Sequence, residues 1–197
     1  MIVNTKSSVW NVALISGLIV LAVSAEGCGG KTEGGGITPQ TMADNLFIVL
    51  NADRATYATE VVNRLQDKEK VIKADEHFQD AKALPLPAQM FRMGSERAQK
   101  AGAGFTYSLL SQWPLNKQNA PKTEVEKEGL KAVAETGKNF YKEETLGGKR
   151  YFTAVYPDKA VTDACQNCHN AHPDTPKKDF KLNDVLGGVV IRIPTGG

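Results

Sequence analysis

Residues 139–169 of the chain read NFYKEETLGGKRYFTAVYPDKAVTDACQNCH. Within this stretch, residues 139–143 and 150–156 are rich in aromatic and β-branched residues, which is typical of short β-strands. Gly147 and Gly148 lie between them and predict a hairpin turn. Residues 157–164 have a helical pattern, so we predict that residues 165–169 lie on a short helix. The stretch therefore predicts an antiparallel hairpin followed by a helix.

The segments on either side extend this pattern to a complete domain. Thr38 and Pro39 are typical of a helix start, and the helix is predicted to reach about residue 66. Its apolar stripe consists of Leu46, Leu50, Tyr57, Val61 and Leu65. Two more helices and two more strands are predicted, at about residues 87–100, 121–135, 105–109 and 188–193. Helices that precede a small antiparallel sheet predict the α+β class, with helices flanking the sheet.

The composition is that of an ordinary globular protein. Of the 197 residues, 41% are hydrophobic and 23% are charged, which is enough for one domain with a sizeable core. The 24 basic residues are interleaved with 22 acidic ones, and the formal net charge is +2. Because nucleic-acid binding needs clustered Lys and Arg, we expect no nucleic-acid partner.

The N-terminal residues have the pattern of an export signal. Lys6 precedes an apolar run at residues 12–23, which is followed by the small residues Ser24 and Ala25. The run is shorter than the roughly 20 residues of a membrane span and fits the apolar core of a signal peptide. We therefore predict a signal peptide at residues 1–25, a periplasmic location and a folded domain at residues 41–197.

A Gly-rich linker is predicted at residues 26–40, and it contains Cys28. A cysteine at a signal boundary is typical of bacterial lipoproteins, in which the lipidated thiol attaches the chain to the membrane. Lipoprotein signals usually have a Leu-like residue and a small uncharged residue where this chain has Ala25 and Glu26. Membrane attachment through lipidated Cys28 and an unmodified thiol in the linker therefore both stay open.

A C-x-x-C-H motif ends the stretch quoted first. Cys165, Cys168 and His169 match the pattern of covalent c-type haem attachment, in which two thiols bind the porphyrin vinyl groups and the adjacent imidazole binds the iron. This attachment requires export, which the signal peptide predicts independently. We therefore expect one covalent haem c, with His169 as the proximal iron ligand.

Two other interpretations of the cysteine pair are open. A thioredoxin-like redox pair would need the motif to begin a helix directly after a strand of a βαβ unit, whereas the preceding residues have a helical pattern. A zinc site would use Cys165, Cys168, His169 and His172. Side chains adjacent in sequence, such as Cys168 and His169, rarely reach one small ion. Haem attachment is therefore the preferred interpretation.

The ligand on the second axial side of the iron separates the function classes. A filled site favours electron transfer, and an open one favours binding of a small ligand. Met90 is the first candidate, although methionines at helical spacing also commonly fill a core. An open site comes next, followed by Met93 and His77. His172 follows His169 by one helical turn, so it lies on the same side and is not expected to reach across the porphyrin.

Six segments of the chain form an ordered set of motifs. They are LPLPAQ at 84–89, NAP at 119–121, YFTAVY at 151–156, CQNCHNAHP at 165–173, TPKKDF at 175–180 and GGVVI at 187–191. In this order they resemble a family of periplasmic single-haem c-type domains of unknown function. The resemblance covers about residues 42–194.

The resemblance implies a PAS-like fold in which Cys165 and Cys168 anchor a haem c and His169 is the proximal ligand. Members of the family occur alone or ahead of histidine kinase and chemoreceptor modules. Some members carry a cysteine on the first long helix, but residues 40–66 of this chain contain none. A thiolate ligand from that helix is therefore not expected here.

Two functions follow from these predictions. The first is an exported monohaem c-type cytochrome that transfers single electrons between periplasmic redox partner proteins. The alternative is a haem-based redox or gas sensor that signals to a separate partner, such as a sensory kinase or receptor. An enzymatic role such as peroxide reduction would need a distal acid or base. The sequence assigns no residue to that task, so a carrier or a sensor is expected rather than an enzyme.

Overall fold

A computed structural model describes residues 36–196 of the chain. The predicted signal peptide, Cys28 and most of the predicted linker lie outside these residues. The helices are α1 (Pro39–Thr56), which continues as a π-helix (Tyr57–Lys68), α2 (Pro87–Lys100), α3 (Glu124–Thr136) and α4 (Asp163–Ala171). The strands are β1 (Thr106–Leu110), β2 (Phe140–Leu146), β3 (Lys149–Lys159) and β4 (Val185–Pro194).

The strands form one antiparallel sheet with the order β1-β4-β3-β2. The β2–β3 hairpin closes through a two-residue turn at Gly147 and Gly148. Their φ angles are 56° and 79°, a region that residues with a side chain rarely adopt. This turn confirms the hairpin predicted from the sequence. Helices lie on both faces of the sheet, which confirms the α+β class.

Alternate residues of the central strands build two separate cores. One face carries Ala154, Tyr156, Val189 and Ile191 against α1 and α2, and the other carries Val155 and Val190 against α3. This is the alternation expected of a strand that is buried on both faces. Tyr156 is fully buried, stacks on Phe47 of α1 at 4.1 Å between ring centroids, and donates a hydrogen bond of 2.7 Å to Asp44.

Helix α3 approaches the sheet closely at Gly188. A Cβ atom at this position would lie 2.8 Å from Cγ1 of Val155 and 2.9 Å from Cδ2 of Leu130, closer than carbon atoms normally pack. The helix begins at Glu124 rather than at about residue 121, because Thr123 caps it and accepts a 3.1 Å hydrogen bond from the backbone of Glu126.

A partly buried ionic network lies on the α3 side of the sheet. Arg192 of β4 donates hydrogen bonds of 2.7 Å to Glu144 of β2 and to Glu126 of α3. Thr153 donates a further 2.6 Å bond to Glu144. Burial alone would raise the pKa of Glu144, but the hydrogen bonds from Thr153 and Arg192 outweigh it and hold that pKa below its ordinary value.

The prediction of a helical pattern for residues 157–164 was wrong for most of that range. Strand β3 continues to Lys159, and α4 begins only at Asp163. The reason is pairing with β4, because Asp158 lies opposite Gly187 and Lys159 opposite Val185. Ala160 extends the pairing by donating to the carbonyl oxygen of residue 184 and accepting from the amide of residue 183, both at 2.9 Å.

The predicted first helix is confirmed from its capped start to its end near residue 68. Thr38 accepts a 3.1 Å hydrogen bond from the backbone of Thr41, and Pro39 occupies the first helical position. The geometry changes from α to π at Tyr57. Over residues 36–196, no helix combines the length and the apolar character needed to cross a membrane.

Candidate functional site

A cavity of about 440 Å³ opens beside α4. Its walls come from the first helix and its π-helical continuation, the start of α2, the segment after β1, the end of β3 and α4 itself. The volume falls within the range of roughly 300–1,000 Å³ that is typical of sites for small molecules and cofactors. If the C-x-x-C-H motif holds a cofactor, its side chains should line this cavity.

Helix α4 presents the motif on one face. Cys165, Cys168 and His169 stand at positions i, i+3 and i+4, which share one side of a helix, and all three line the cavity. His172 lines it too, directly after the last helical turn. Both thiols are free. The structure thus brings together the two thiols and the imidazole that the sequence predicted to act together.

Asn170, the residue after His169, fixes α4 to the rest of the domain. Its side-chain amide donates a 2.8 Å hydrogen bond to the carbonyl oxygen of Phe180 and accepts a 2.9 Å bond from the Phe180 amide. Phe180 is buried, and its ring meets His169 edge to face at 5.9 Å between centroids and Trp113 at 5.6 Å. The orientation of His169 therefore depends on the segment that follows α4.

His169 is a half-buried imidazole that favours the neutral state. Burial lowers its pKa, with smaller contributions from the nearby His172 and Arg54. Its Nδ1 atom is buried and has no hydrogen-bond partner among the described residues. A neutral imidazole has a nitrogen lone pair available, and it is the form in which histidine binds a metal.

The second thiol of the motif does not have the surroundings of a reactive cysteine. The pKa of Cys168 is raised, mainly by desolvation and further by Cys165 and Glu76, whereas reactive thiols have a lowered pKa. The strand before α4 meets one condition of the thioredoxin-like alternative. However, β3 and β4 on either side of α4 are antiparallel neighbours, so the motif does not lie in a βαβ unit.

The four side chains of the zinc alternative do not form a metal-binding group. Within the part of the chain that the structure describes, no three His, Cys, Asp or Glu residues gather in a cluster that could hold an ion. The Nδ1 atom of His172 is already engaged, because it accepts a 3.2 Å hydrogen bond from the backbone amide of Asp174.

A buried ion pair in the cavity wall escaped the sequence analysis. Arg54 of α1 pairs with Asp158 of β3, and both side chains are less than 10% exposed. Burial lowers the pKa of the Arg54 guanidinium, while Cys165 acts in the opposite direction. The Nε atom of Arg54 is buried without a partner among residues 36–196. The available signal was Arg54 itself, a charged residue one turn after Leu50 on an apolar stripe.

The methionine predicted to be the distal ligand does not line the cavity. Helix α2 contributes Pro87, Ala88, Gln89 and Arg92 to the wall, and neither Met90 nor Met93 is among the lining residues. Periodicity placed both methionines on the helix but could not show which face meets the cavity. His77 is exposed and lies 3.6 Å from Glu76. Within the described residues, none of these three candidates lines the cavity that His169 faces.

The donor set and the cavity fit a covalently attached porphyrin. Two thiols and one neutral imidazole face a single cavity of suitable size. Two buried nitrogen atoms in its wall, on Arg54 and His169, lack hydrogen-bond partners within the described residues. Such atoms are rare in folded proteins, and each calls for an explanation such as a group bound in the cavity.

The fold and the site together define an α+β domain with one four-stranded antiparallel sheet and a helix that presents a C-x-x-C-H motif to a cavity. The model of the Tll0287-like family matches residues 38–194, and the chain belongs to this family.

Among solved structures, the chain is similar to the cyanobacterial heme-protein Tll0287. The sequences are 14% identical, the TM-score is 0.52, and the match covers 80% of this chain and 97% of the other. At this identity the likeness shows a shared fold. A comparison with curated proteins finds no match.

Proposed function

We propose that the chain is an exported monohaem c-type cytochrome that transfers single electrons in the periplasm. Cys165 and Cys168 hold one haem c through thioether bonds, and His169 binds its iron as the proximal ligand. The observation that carries this proposal is the shared face of α4, which presents all three side chains to one cavity. The similar solved structure is a heme-protein, which supports the proposal.

The bound haem would supply a metal that changes oxidation state by one electron. The protein's part is to hold His169 neutral and oriented, which burial and the contact with Phe180 accomplish. Asn170 maintains that contact through its two hydrogen bonds to Phe180. The cavity wall includes the apolar residues Ala58, Val62 and Leu110. Apolar surroundings favour the less charged, reduced state of an iron centre.

Export is a second part of the proposal. The predicted signal peptide at residues 1–25 would deliver the chain to the periplasm, where c-type attachment takes place, and lipidation at Cys28 would tether it to the membrane. Redox partner proteins would then meet the haem there. The mass of the mature N-terminus distinguishes cleavage after Ala25 from lipidation at Cys28.

Covalent attachment is tested on the full chain, produced in a bacterium with a cytochrome c maturation system. We expect the denatured protein to keep its colour and to have the mass of the mature polypeptide plus one haem. Cys165→Ser or Cys168→Ser should each remove one thioether bond, whereas Cys28→Ser is the matched control and should retain both. A colourless wild-type protein with the bare polypeptide mass would contradict the proposal.

The position of Met90 and Met93 favours a second candidate function, a haem-based redox or gas sensor in a PAS-like domain. Within the described residues, neither methionine lines the cavity, and this favours an open sixth site. The ferrous protein should then bind carbon monoxide rapidly, and Met90→Ala should leave the spectrum unchanged. A low-spin spectrum that carbon monoxide does not alter would instead support the electron carrier. A sensory kinase or receptor would be the partner of a sensor.

A further inference from the structure

Arg54, which is buried, and Arg192, which is partly buried, differ in how completely they are paired. Arg192 makes hydrogen bonds through Nε and one terminal nitrogen to two carboxylates, and it does not line the cavity. Arg54 lines the cavity, pairs with Asp158 alone, and leaves its Nε without a partner. A structural role accounts for the pairing of Arg192, but it does not account for the unpaired Nε of Arg54 in the cavity wall.

Arg54 lies in the wall of the cavity that holds the proposed iron ligand. Its side chain is only 9% exposed, and it lines the same cavity as His169. A buried cation in this wall disfavours the extra positive charge of ferric iron, because the interaction is Coulombic. The buried setting weakens solvent screening of this interaction.

Asp158 opposes the effect of Arg54. It joins the same cavity wall from the end of β3, next to the segment that leads into α4. In a buried pair the two charges largely cancel, and removing one partner leaves the other uncompensated. The two residues therefore act on the site with opposite signs.

We propose that the Arg54–Asp158 pair sets the reduction potential of the iron that His169 holds. This inference rests on the haem attachment proposed above. The reaction is the uptake of one electron by ferric iron from a one-electron donor, with no bond made or broken. Both residues are positioning groups, since they act through their charge and not by binding the iron.

The test is a redox titration of the full, haem-loaded chain at pH 8, with mediator dyes and a spectroscopic readout. Arg54→Gln leaves the Asp158 carboxylate uncompensated, which stabilises ferric iron and lowers the midpoint potential. Asp158→Asn leaves the guanidinium uncompensated and raises it. We expect each change to alter the ferrous-to-ferric ratio at fixed potential about tenfold, which corresponds to about 59 mV for a one-electron couple. The double variant should return close to the wild type.

Three controls distinguish the effect of charge from damage to the site. Arg54→Lys keeps the charge and should keep the potential, and it also serves if Arg54→Gln fails to mature. Arg192→Gln removes a partly buried guanidinium outside the cavity wall and should leave the potential nearly unchanged. Damage that lets water into the cavity would shift both single variants in the same direction.

The possible failures are distinguishable. A wild-type protein without covalent haem would overturn the proposed function and this inference together. Haem-loaded variants whose potentials shift in the same direction, or do not shift, would overturn this inference alone.

Discussion

Asn170→Ala should destabilise the domain far more than the same change three residues earlier. The variant removes two hydrogen bonds of 2.8 and 2.9 Å and leaves the backbone N–H and carbonyl oxygen of the buried Phe180 unpaired. A net contribution of about 1 kcal/mol per bond, increased by the cost of unpaired buried groups, gives a loss of about 2–3 kcal/mol. For a domain of this size, that loss lowers the Tm by about 4–12 °C.

Asn167→Ala is the matched control for this prediction. Asn167 is an exposed residue of the same helix, and its side chain makes no hydrogen bond to residues 36–196. Both variants change helix propensity alike, so their difference isolates the amide pairing. The assay is thermal unfolding followed by circular dichroism on the haem-loaded chain. Equal Tm values for the two variants would refute the role assigned to Asn170.

Three other predictions concern the sheet. Tyr156→Phe removes a 2.7 Å hydrogen bond to the Asp44 carboxylate and should lower the free energy of unfolding by about 1–2 kcal/mol, measured with denaturant. Tyr151→Phe is the control and should leave this free energy unchanged. Equal losses for the two variants would contradict the role of the hydrogen bond. Gly188→Ala places a methyl group against α3 and should lower the free energy of unfolding by about 1–3 kcal/mol. Gly104→Ala is the control, because a methyl group there meets open space. A neutral Gly188→Ala would mean that α3 shifts without cost to make room. The lowered pKa of Glu144 contributes stability above the ordinary glutamate pKa of about 4.3, and this contribution is lost as the pH falls through the lowered value. Glu144→Gln should flatten that part of the acid unfolding curve, and an unchanged curve would exclude Glu144 as its source.

The local parts of the fold could be predicted because short-range chemistry determines them. Gly147 and Gly148 allow the positive φ angles of a two-residue turn, and the turn forms where the sequence indicated it. The spacing of Cys165, Cys168 and His169 places them on one face of any helix, whatever surrounds it.

The parts that were missed depend on contacts between distant segments. Residues 157–159 extend β3 because β4 pairs with them, and this pairing overrides their local helical pattern. The burial of Arg54 depends on Asp158, which lies 104 residues away in sequence. Met90 stays a prediction as a ligand; residue type suggested it, but the packing of α2 decides which face of the helix meets the cavity, and Met90 is not among the lining residues.

The hydrogen bonds between Ala160 and residues 183 and 184 hold the chain together just beyond the paired ends of β3 and β4. Everything between these residues, including all of α4, is thus an insertion into an otherwise simple hairpin. The two strands pair on the sheet side of these hydrogen bonds, from Tyr151 opposite Pro194 to Lys159 opposite Val185. Because the closure entropy of a loop rises only slowly with its length, the sheet can accommodate inserted segments of different length at this place.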